Sequence, residues 1–327
     1  MGRLLPWRDK LKCLENFKPL RLAKFDKTSI RVEPLKPEII ENVAFNLIKQ
    51  AVIYLPEDVK QALKKAYENE TNEAGKTQLK AILENIKLAE NYKVPICQDT
   101  GTIIFYVKAG AETKGLDKVE GALVNATRKA TKDVPLRPNA VDPFTQKNSG
   151  DNTGRFVPFI HWEIVPGDAL ELTVMTKGGG SENVCQVGML VPGEGINGLK
   201  KFVIESIIRA GGQPCPPTIV GVAVGGGADI AMKLAKKALL RPLNEQNPNP
   251  EIAELERELY EAANMPGIGP MGLGGKTTVL GVCVEYAHRH PASFPVAVAF
   301  NCWAARRATA RIHADGSVEY LTHKGIV

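Results

Sequence analysis

Apolar residues in the first third of the chain recur at helical spacing. Ile39, Ile40, Val43, Ala44, Leu47, Ile48, Ala51 and Val52 share one side of a 3.6-residue period, which predicts an amphipathic helix. Leu79, Ile82, Ile86 and Ala89 mark another, running towards Cys97. The period then changes. Thr102-Ile103-Ile104-Phe105-Tyr106-Val107 has the β-branched and aromatic content of a strand. Helical spacing returns over 117–131, with Val119, Leu123, Ala126 and Ala130 on one face. Strands are predicted near 158–164 and 169–176. Further on, Phe202, Ile204, Ile207 and Ile208 predict a helix that stops at Gly211-Gly212. A strand over 219–224 leads through Gly225-Gly226-Gly227 into a helix over 228–240. Its inward residues are predicted as Ile230, Leu234 and Ala238, and its outward ones as Lys233, Lys236 and Lys237. A helix over 250–264, strands over 279–286 and 295–300, and a 309–321 hairpin turning at Asp315-Gly316 complete the pattern. There is no internal repeat and no low-complexity tract. The expected fold is mixed α/β, with a helical N-terminal region followed by a sheet-containing domain.

Several breaks between these elements carry polar or reactive groups. Pro95-Ile96-Cys97-Gln98-Asp99-Thr100-Gly101 is a tight helix-to-strand loop holding a thiol, an amide and a carboxylate in succession. Residues 132–155 form a long polar loop containing Arg137, and loops of that length in a compact domain tend to be functional or disordered. Lys177-Gly178-Gly179-Gly180-Ser181-Glu182-Asn183 is predicted as a loop whose backbone can approach a ligand closely. Gln213-Pro214-Cys215-Pro216-Pro217 is a rigid connection into the strand that follows.

Composition narrows the classes. A chain of 327 residues can bury a substantial core, and six cysteines at this length are too sparse for a disulfide scaffold. No run of 18 apolar residues suggests a membrane span, and the N-terminus does not read as a secretory signal, so a cytoplasmic setting is expected. The net charge of +6 invites a nucleic-acid reading. Residues 1–37 hold ten Lys/Arg against four Asp/Glu, which accounts for the whole excess and leaves 32 of each sign elsewhere. The arm is therefore expected to be a basic extension, distinct from a neutral domain over 38–327, and neither nucleic acid nor membrane is an expected partner.

Gly275-Lys276-Thr277 suggests a phosphate loop, but the required G-x-x-x-x-G-K-[ST] needs glycine where Pro270 stands. A strand pattern follows instead of the helix that would meet a phosphate. A nucleotide-binding protein is thus a disfavoured alternative. Cys283 and Cys185 lie in apolar stretches and read as structural, and Cys13 lies on the basic arm. Cys97, Cys215 and Cys302 differ, because each sits at a junction between elements. Three thiolates could hold an iron–sulfur cluster while leaving one iron without a protein ligand.

Four motifs occur in order: Pro95 through Gly101, Lys177 through Asn183, Gly267-Ile268-Gly269-Pro270 through Gly274-Gly275-Lys276-Thr277, and Cys302-Trp303-Ala304-Ala305-Arg306-Arg307-Ala308. From about residue 38 onwards the chain resembles the α portion of the iron–sulfur hydro-lyases, class I fumarase and L(+)-tartrate dehydratase. The resemblance implies a [4Fe-4S] cluster on Cys97, Cys215 and Cys302, with one iron open to substrate. It implies that Gln98, Asp99, Arg137, the Gly179 backbone and His290 surround a C4 dicarboxylate, with Asp99 as the proton-transfer group. His161 is expected to be a packing residue, His288 could be either a packing residue or a site residue, and Arg306 and Arg307 could be anion contacts or structural charges. The family's remaining acid–base and carboxylate-binding groups belong to a β part, and this chain is expected to end where the α part ends. The implied protein is a fumarate hydratase α subunit in an α2β2-type assembly with a β subunit, with L(+)-tartrate dehydratase as the alternative.

Overall fold

The structure is a computed structural model and describes residues 34–326. Cys13 and the first 33 residues of the predicted basic extension lie outside the described residues. Three helices come first: α1 (Pro37–Ile53), α2 (Glu57–Asn69) and α3 (Glu73–Tyr92). Pro37 opens α1, where its missing N–H costs nothing, and Glu38 places an acid in the first turn. Asn72 caps α3 by accepting from the Gly75 N–H at 2.9 Å.

The remaining elements are β1 (Thr102–Gly110), α4 (Val119–Asp133), β2 (Phe159–Val165), β3 (Leu170–Lys177), α5 (Gly179–Asn183), β4 (Gln186–Leu190), α6 (Gly195–Ala210), β5 (Thr218–Val224), α7 (Ala228–Ala238), α8 (Pro250–Asn264), β6 (Val279–Tyr286), β7 (Phe294–Asn301), β8 (Arg307–Ile312) and β9 (Val318–Tyr320). They form two sheets, a five-stranded one ordered β2-β1-β3-β8-β9 and a four-stranded one ordered β4-β7-β5-β6. The fold is mixed α/β, as the periodicities predict.

Side-chain alternation explains the layering. On β1, Ile103, Phe105, Val107 and Ala109 face a core shared with α1 and α4, while Ile104 and Tyr106 face the opposite way. On β5, Val220 and Val222 join α6 and α8, while Ile219 and Ala223 turn towards the same inner core as Ile104 and Tyr106. Helices α2, α3 and α7 contribute to that inner core. Each sheet is thus covered on both faces, which is why strands such as β5 and β7 read as nearly unbroken apolar runs. A fully buried leucine such as Leu47 contributes roughly 1.5–3 kcal/mol through removal from water.

The structure corrects several expectations. Gly179–Asn183 is a short helix rather than a loop. On α7 the buried positions are Ala231, Ala235 and Ala238, whereas Ile230 stands 40% exposed. Small residues let that helix lie close to β5, since any Cβ at Gly221 would fall 2.1 Å from the Ala235 carbonyl oxygen. On α6, Ile207 is buried but Ile208 is exposed.

The glycine-rich loop over 267–278 has a physical role different from nucleotide binding. Glu70, only 2% exposed, projects its carboxylate into it. Its oxygens accept from the N–H groups of Thr71 (2.8 Å), Asn72 (2.9 Å) and Lys276 (2.8 Å). Gly275, at φ 136°, leaves no room for a side chain, because a Cβ there would lie 2.6 Å from a Glu70 carboxylate oxygen. The anion in this loop is the chain's own. Burial acts against the charged form of Glu70, but the backbone N–H donors outweigh it and hold the carboxyl below its ordinary range. Replacing Glu70 by Gln is expected to destabilise the fold by about 1–3 kcal/mol near neutral pH, because buried donors lose a charged acceptor. A carboxyl with a lowered folded-state pKa stabilises above its unfolded pKa and loses that contribution as pH falls through the folded one. Denaturant midpoints for the two proteins should therefore converge in acid, and an equal gap at every pH would contradict the assignment.

Candidate active site

The chain passes from the four-stranded sheet to the five-stranded sheet between Asn301, which ends β7, and Arg307, which begins β8. Cys302 opens this crossover. Cys215 lies just before β5, whose Ile219 pairs with Asn301, so both cysteines stand at the same end of the four-stranded sheet. The Trp303 N–H donates to the Cys215 carbonyl at 3.2 Å and fixes the two segments together. Cys97 arrives on the loop between α3 and β1. That loop is pinned by the Ile96 N–H to the Val52 carbonyl (2.9 Å) and by the Asn85 amide to the Ile96 carbonyl (2.8 Å). Cys97 and Cys302 pack against the same inner core.

Burial pushes the Cys215 thiol up, and the charges of Cys302, Cys97 and Asp99 push it further. Burial likewise raises Cys302, with Arg306 pulling the other way. Cys215 also sits at φ 54°, a left-handed conformation that costs a non-glycine residue on the order of 1–3 kcal/mol. Its own N–H to the Gly212 carbonyl (3.1 Å) and the Trp303 contact hold it there. Among the described residues, no three His, Cys, Asp or Glu side chains gather tightly enough to chelate a single ion. Two thiolates on one tetrahedral zinc would stand only about 3.8 Å apart. Three soft donors are the donor type that an iron–sulfur group takes.

Asp99 is bonded from several sides. Its Oδ1 accepts from the Gly101 N–H (2.9 Å) and the Asn139 amide (3.3 Å), and its Oδ2 from the Gly179 N–H (2.7 Å). The Asp99 carbonyl accepts from Arg306 Nη1 at 2.7 Å. Arg306 is 1% exposed, its Nε has no partner, and among the described residues no carboxylate forms an ion pair with it. An arginine buried this deeply without an anion is costly unless the site supplies negative charge. Lys177, 2% exposed, points into the same region. Its Nζ donates to Ser181 Oγ (2.7 Å) and lies 3.4 Å from Glu182, while the Cys302 charge acts on it.

Gln98 is exposed beside Cys97, and Arg137 is exposed on the 132–155 loop. That loop is ordered by its own polar groups. Asn152, buried at φ 59°, donates to the Arg137 carbonyl (3.1 Å) and Thr131 Oγ1 (3.0 Å) and accepts from the Asn139 N–H (2.6 Å). The Arg137 N–H donates to Thr100 Oγ1 at 3.1 Å, which brings the arginine backbone to the Cys97–Asp99 loop. Among the described residues its guanidinium makes no hydrogen bond or ion pair, so it is available to an anion.

Other candidates do not join this group. His290 sits exposed between β6 and β7, at the end of the four-stranded sheet opposite Cys215 and Cys302. Seven residues of β5 separate the two ends, about 20 Å, so within one chain His290 is outside the site. Arg307 is structural. Its Nη2 contacts both Asp58 carboxylate oxygens, at 2.8 and 2.7 Å. Lys276 is exposed and offers only its backbone N–H to Glu70. His161 stacks on Tyr106 with ring centroids 4.9 Å apart, and His288 is exposed. A cavity of about 1060 Å³ opens elsewhere, lined by α2, α8 and β6, and the structural Cys283 borders it. It holds none of the three junction cysteines. Sequence reasoning missed Lys177, Asn139 and Asn152 as parts of the site's frame. The left-handed tolerance of asparagine was the available signal for Asn152.

Comparison with known proteins shows the family. Residues 41–311 match the family model described as fumarate hydratase (Fumerase). The chain is 48% identical over 283 residues to "Putative L(+)-tartrate dehydratase subunit alpha" of Methanocaldococcus jannaschii, covering 85% of this chain and 99% of the relative. It is 43% identical over 270 residues to "L(+)-tartrate dehydratase subunit alpha" of Escherichia coli strain UTI89, covering 82% and 89%. The K12 strain's protein of the same name is 42% identical over 270 residues. With three junction thiols beside a braced carboxylate and a match across most of its length, the chain belongs to the fumarate hydratase (Fumerase) family of hydro-lyases.

Proposed function

We propose that this chain is the α subunit of a two-subunit iron–sulfur hydro-lyase that dehydrates L(+)-tartrate. The observation that carries the cofactor reading is the joining of the Cys97, Cys215 and Cys302 segments by the Trp303–Cys215 and Arg306–Asp99 bonds, beside Arg306, a buried cation lacking an anionic partner among the described residues. A thiolate-ligated [4Fe-4S] group supplies both the missing negative charge and a use for three soft donors. When bound, it contributes a Lewis-acidic iron that carries no protein ligand. The substrate reading rests on the names of the relatives, which are L(+)-tartrate dehydratase α subunits. Hydration of fumarate to malate is the second reading, favoured by the description of the matching family model.

The chain's own groups have definable tasks in this reading. Arg137 can grip a substrate carboxylate with two parallel N–H donors. Gln98 offers an amide beside it. Asp99 Oδ2 accepts one hydrogen bond against two on Oδ1, so it keeps a lone pair for the proton moved at the carbon next to the departing hydroxyl. Gly179 already donates to that oxygen, so its N–H orients Asp99 and reaches substrate only if that bond is exchanged. Loss of water from tartrate yields the enol of oxaloacetate, and addition of water to fumarate yields malate, so one set of groups serves either substrate. The names "subunit alpha" support a β partner, to which this reading assigns the second carboxylate anchor. We infer a domain beginning near residue 38, preceded by the basic extension, in an α2β2-type assembly. Among the described residues no helix is long and apolar enough to cross a membrane.

Three outcomes test this reading. Cys97→Ser, Cys215→Ser and Cys302→Ser should each lose most of the iron bound per anaerobically reconstituted chain, whereas Cys185→Ser should keep it. Wild-type iron in any of the first three removes that residue from the ligand set. Arg137→Lys should lower kcat/KM at least tenfold, about 1.4 kcal/mol, because an ammonium cannot reproduce a planar two-point grip. Unchanged kinetics would place Arg137 outside the site. Finally, the loaded chain with its β subunit should turn over L-tartrate with a higher kcat/KM than fumarate or malate, and should be inactive without that subunit. A preference for fumarate would establish the second reading, and full turnover by this chain alone would end the two-subunit one.

A further inference from the structure

The fold buries more positive than negative charge beside the three thiols. Lys177 ends β3 at 2% exposure, and Arg306 precedes β8 at 1% exposure. Glu182 lies 3.4 Å from Lys177 and is bonded more closely by Lys236, at 2.5 Å, so one carboxylate is shared between two ammonium groups. Asp99 supplies the other nearby carboxylate, and neutral N–H donors already engage its oxygens. Three cations therefore face two carboxylates, and Arg306 Nε remains without a partner. Arg306 donates to the Asp99 carbonyl at 2.7 Å, two residues from Cys97, and the Lys177 backbone packs against Gly101 at the end of the same loop. Neither is an exposed charge that water could screen.

We propose that Lys177 and Arg306 are the buried counter-cations of an anionic thiolate-ligated cluster, setting how firmly the cradle retains it and where its redox equilibrium lies. The inference rests on the iron–sulfur reading above. Both side chains are positioning residues, since they act through the cluster's charge rather than on substrate. A cation close to the cluster favours the reduced form, which carries the extra electron, and so raises the midpoint potential. Glu182 works in the opposite sense by partly cancelling Lys177. The arrangement therefore predicts opposite effects from two neighbouring substitutions, one at a buried cation and one at its half-exposed carboxylate partner.

The test is a redox titration of the full-length, anaerobically reconstituted chain, with chelator-resistant iron as a second readout. Lys177→Met should shift the one-electron equilibrium about tenfold towards the oxidised form, about 59 mV downward. Glu182→Gln should shift it upward, and the double variant should return close to wild type because it restores the charge balance. Arg306→Lys should stay nearer to wild type than Arg306→Met. Circular dichroism of the unloaded proteins separates folding from loading. If Lys177→Met folds but takes up no cluster while Glu182→Gln does, the counter-cation role is supported through retention. If both lose iron alike, or both shift the potential in one direction, the effect is packing and the proposal is overturned. No shift in a loaded set overturns it as well. Failure of the wild-type chain to assemble any cluster would instead defeat the iron–sulfur reading.

Discussion

Asp99 holds the site together. Its carboxylate and carbonyl accept from its own loop at Gly101, from Asn139 on the 132–155 loop, from Gly179 at the start of α5 and from Arg306 on the crossover. Four chain segments, far apart in sequence, are thereby referred to a single residue. Such bonds are worth roughly twice a neutral one where the acceptor is charged, and each also removes conformational freedom from a loop that would otherwise wander. Cys97 sits two residues before this anchor and Arg306 four residues after Cys302, so the Arg306 bond to the Asp99 carbonyl ties the Cys97 loop to the crossover that carries Cys302. The residue implied as the proton-transfer group is also the keystone of the frame around it.

Much of the fold was legible because its helices and strands obey simple periods. Of the residues of α1 that recur at helical spacing all but Ile39 are buried, and α8 has the predicted bounds. The failures have a common physical source. Periodicity reports which residues are apolar, but not how closely two elements approach. On α7, three alanines face inward because β5 comes too near for larger side chains, and the bulkier Ile230 is displaced to the outside. At Gly179–Asn183 the glycines suggested a loop, yet the preceding β3 and the Asp99 carboxylate stabilise one helical turn that intrinsic propensity would not.

The site was legible in a different manner. In the sequence, position at a junction singled out Cys97, Cys215 and Cys302 and the matching motifs made the same choice, although the structure also places Cys185 at a junction, between α5 and β4. The buried cations could not be found this way. Lys177 reads in sequence as an ordinary polar residue at a strand end, and Arg306 and Arg307 are adjacent and chemically identical. Only the partners separate the two arginines: Asp58 satisfies Arg307, while nothing anionic among the described residues satisfies Arg306. His290 shows the converse limit, since a motif can indicate a residue's importance without saying whether its own chain brings it to the site.

The crossover at Cys302 has a mechanical consequence. The two sheets are joined covalently in the 302–306 link, and the three cysteines stand on segments belonging to α3–β1, the approach to β5, and that link. A group bridging all three thiols would act as a rivet between the layers as well as a chemical centre. Holo protein would then be stiffer than apo protein along the seam between the sheets, because a ligand that binds only the native arrangement adds its affinity to the stability of that arrangement. Damage to the centre would be felt as slack in the seam, where amide protons should exchange faster and proteases find purchase first. The wear of the catalyst and the lifetime of the polypeptide would be governed by one joint.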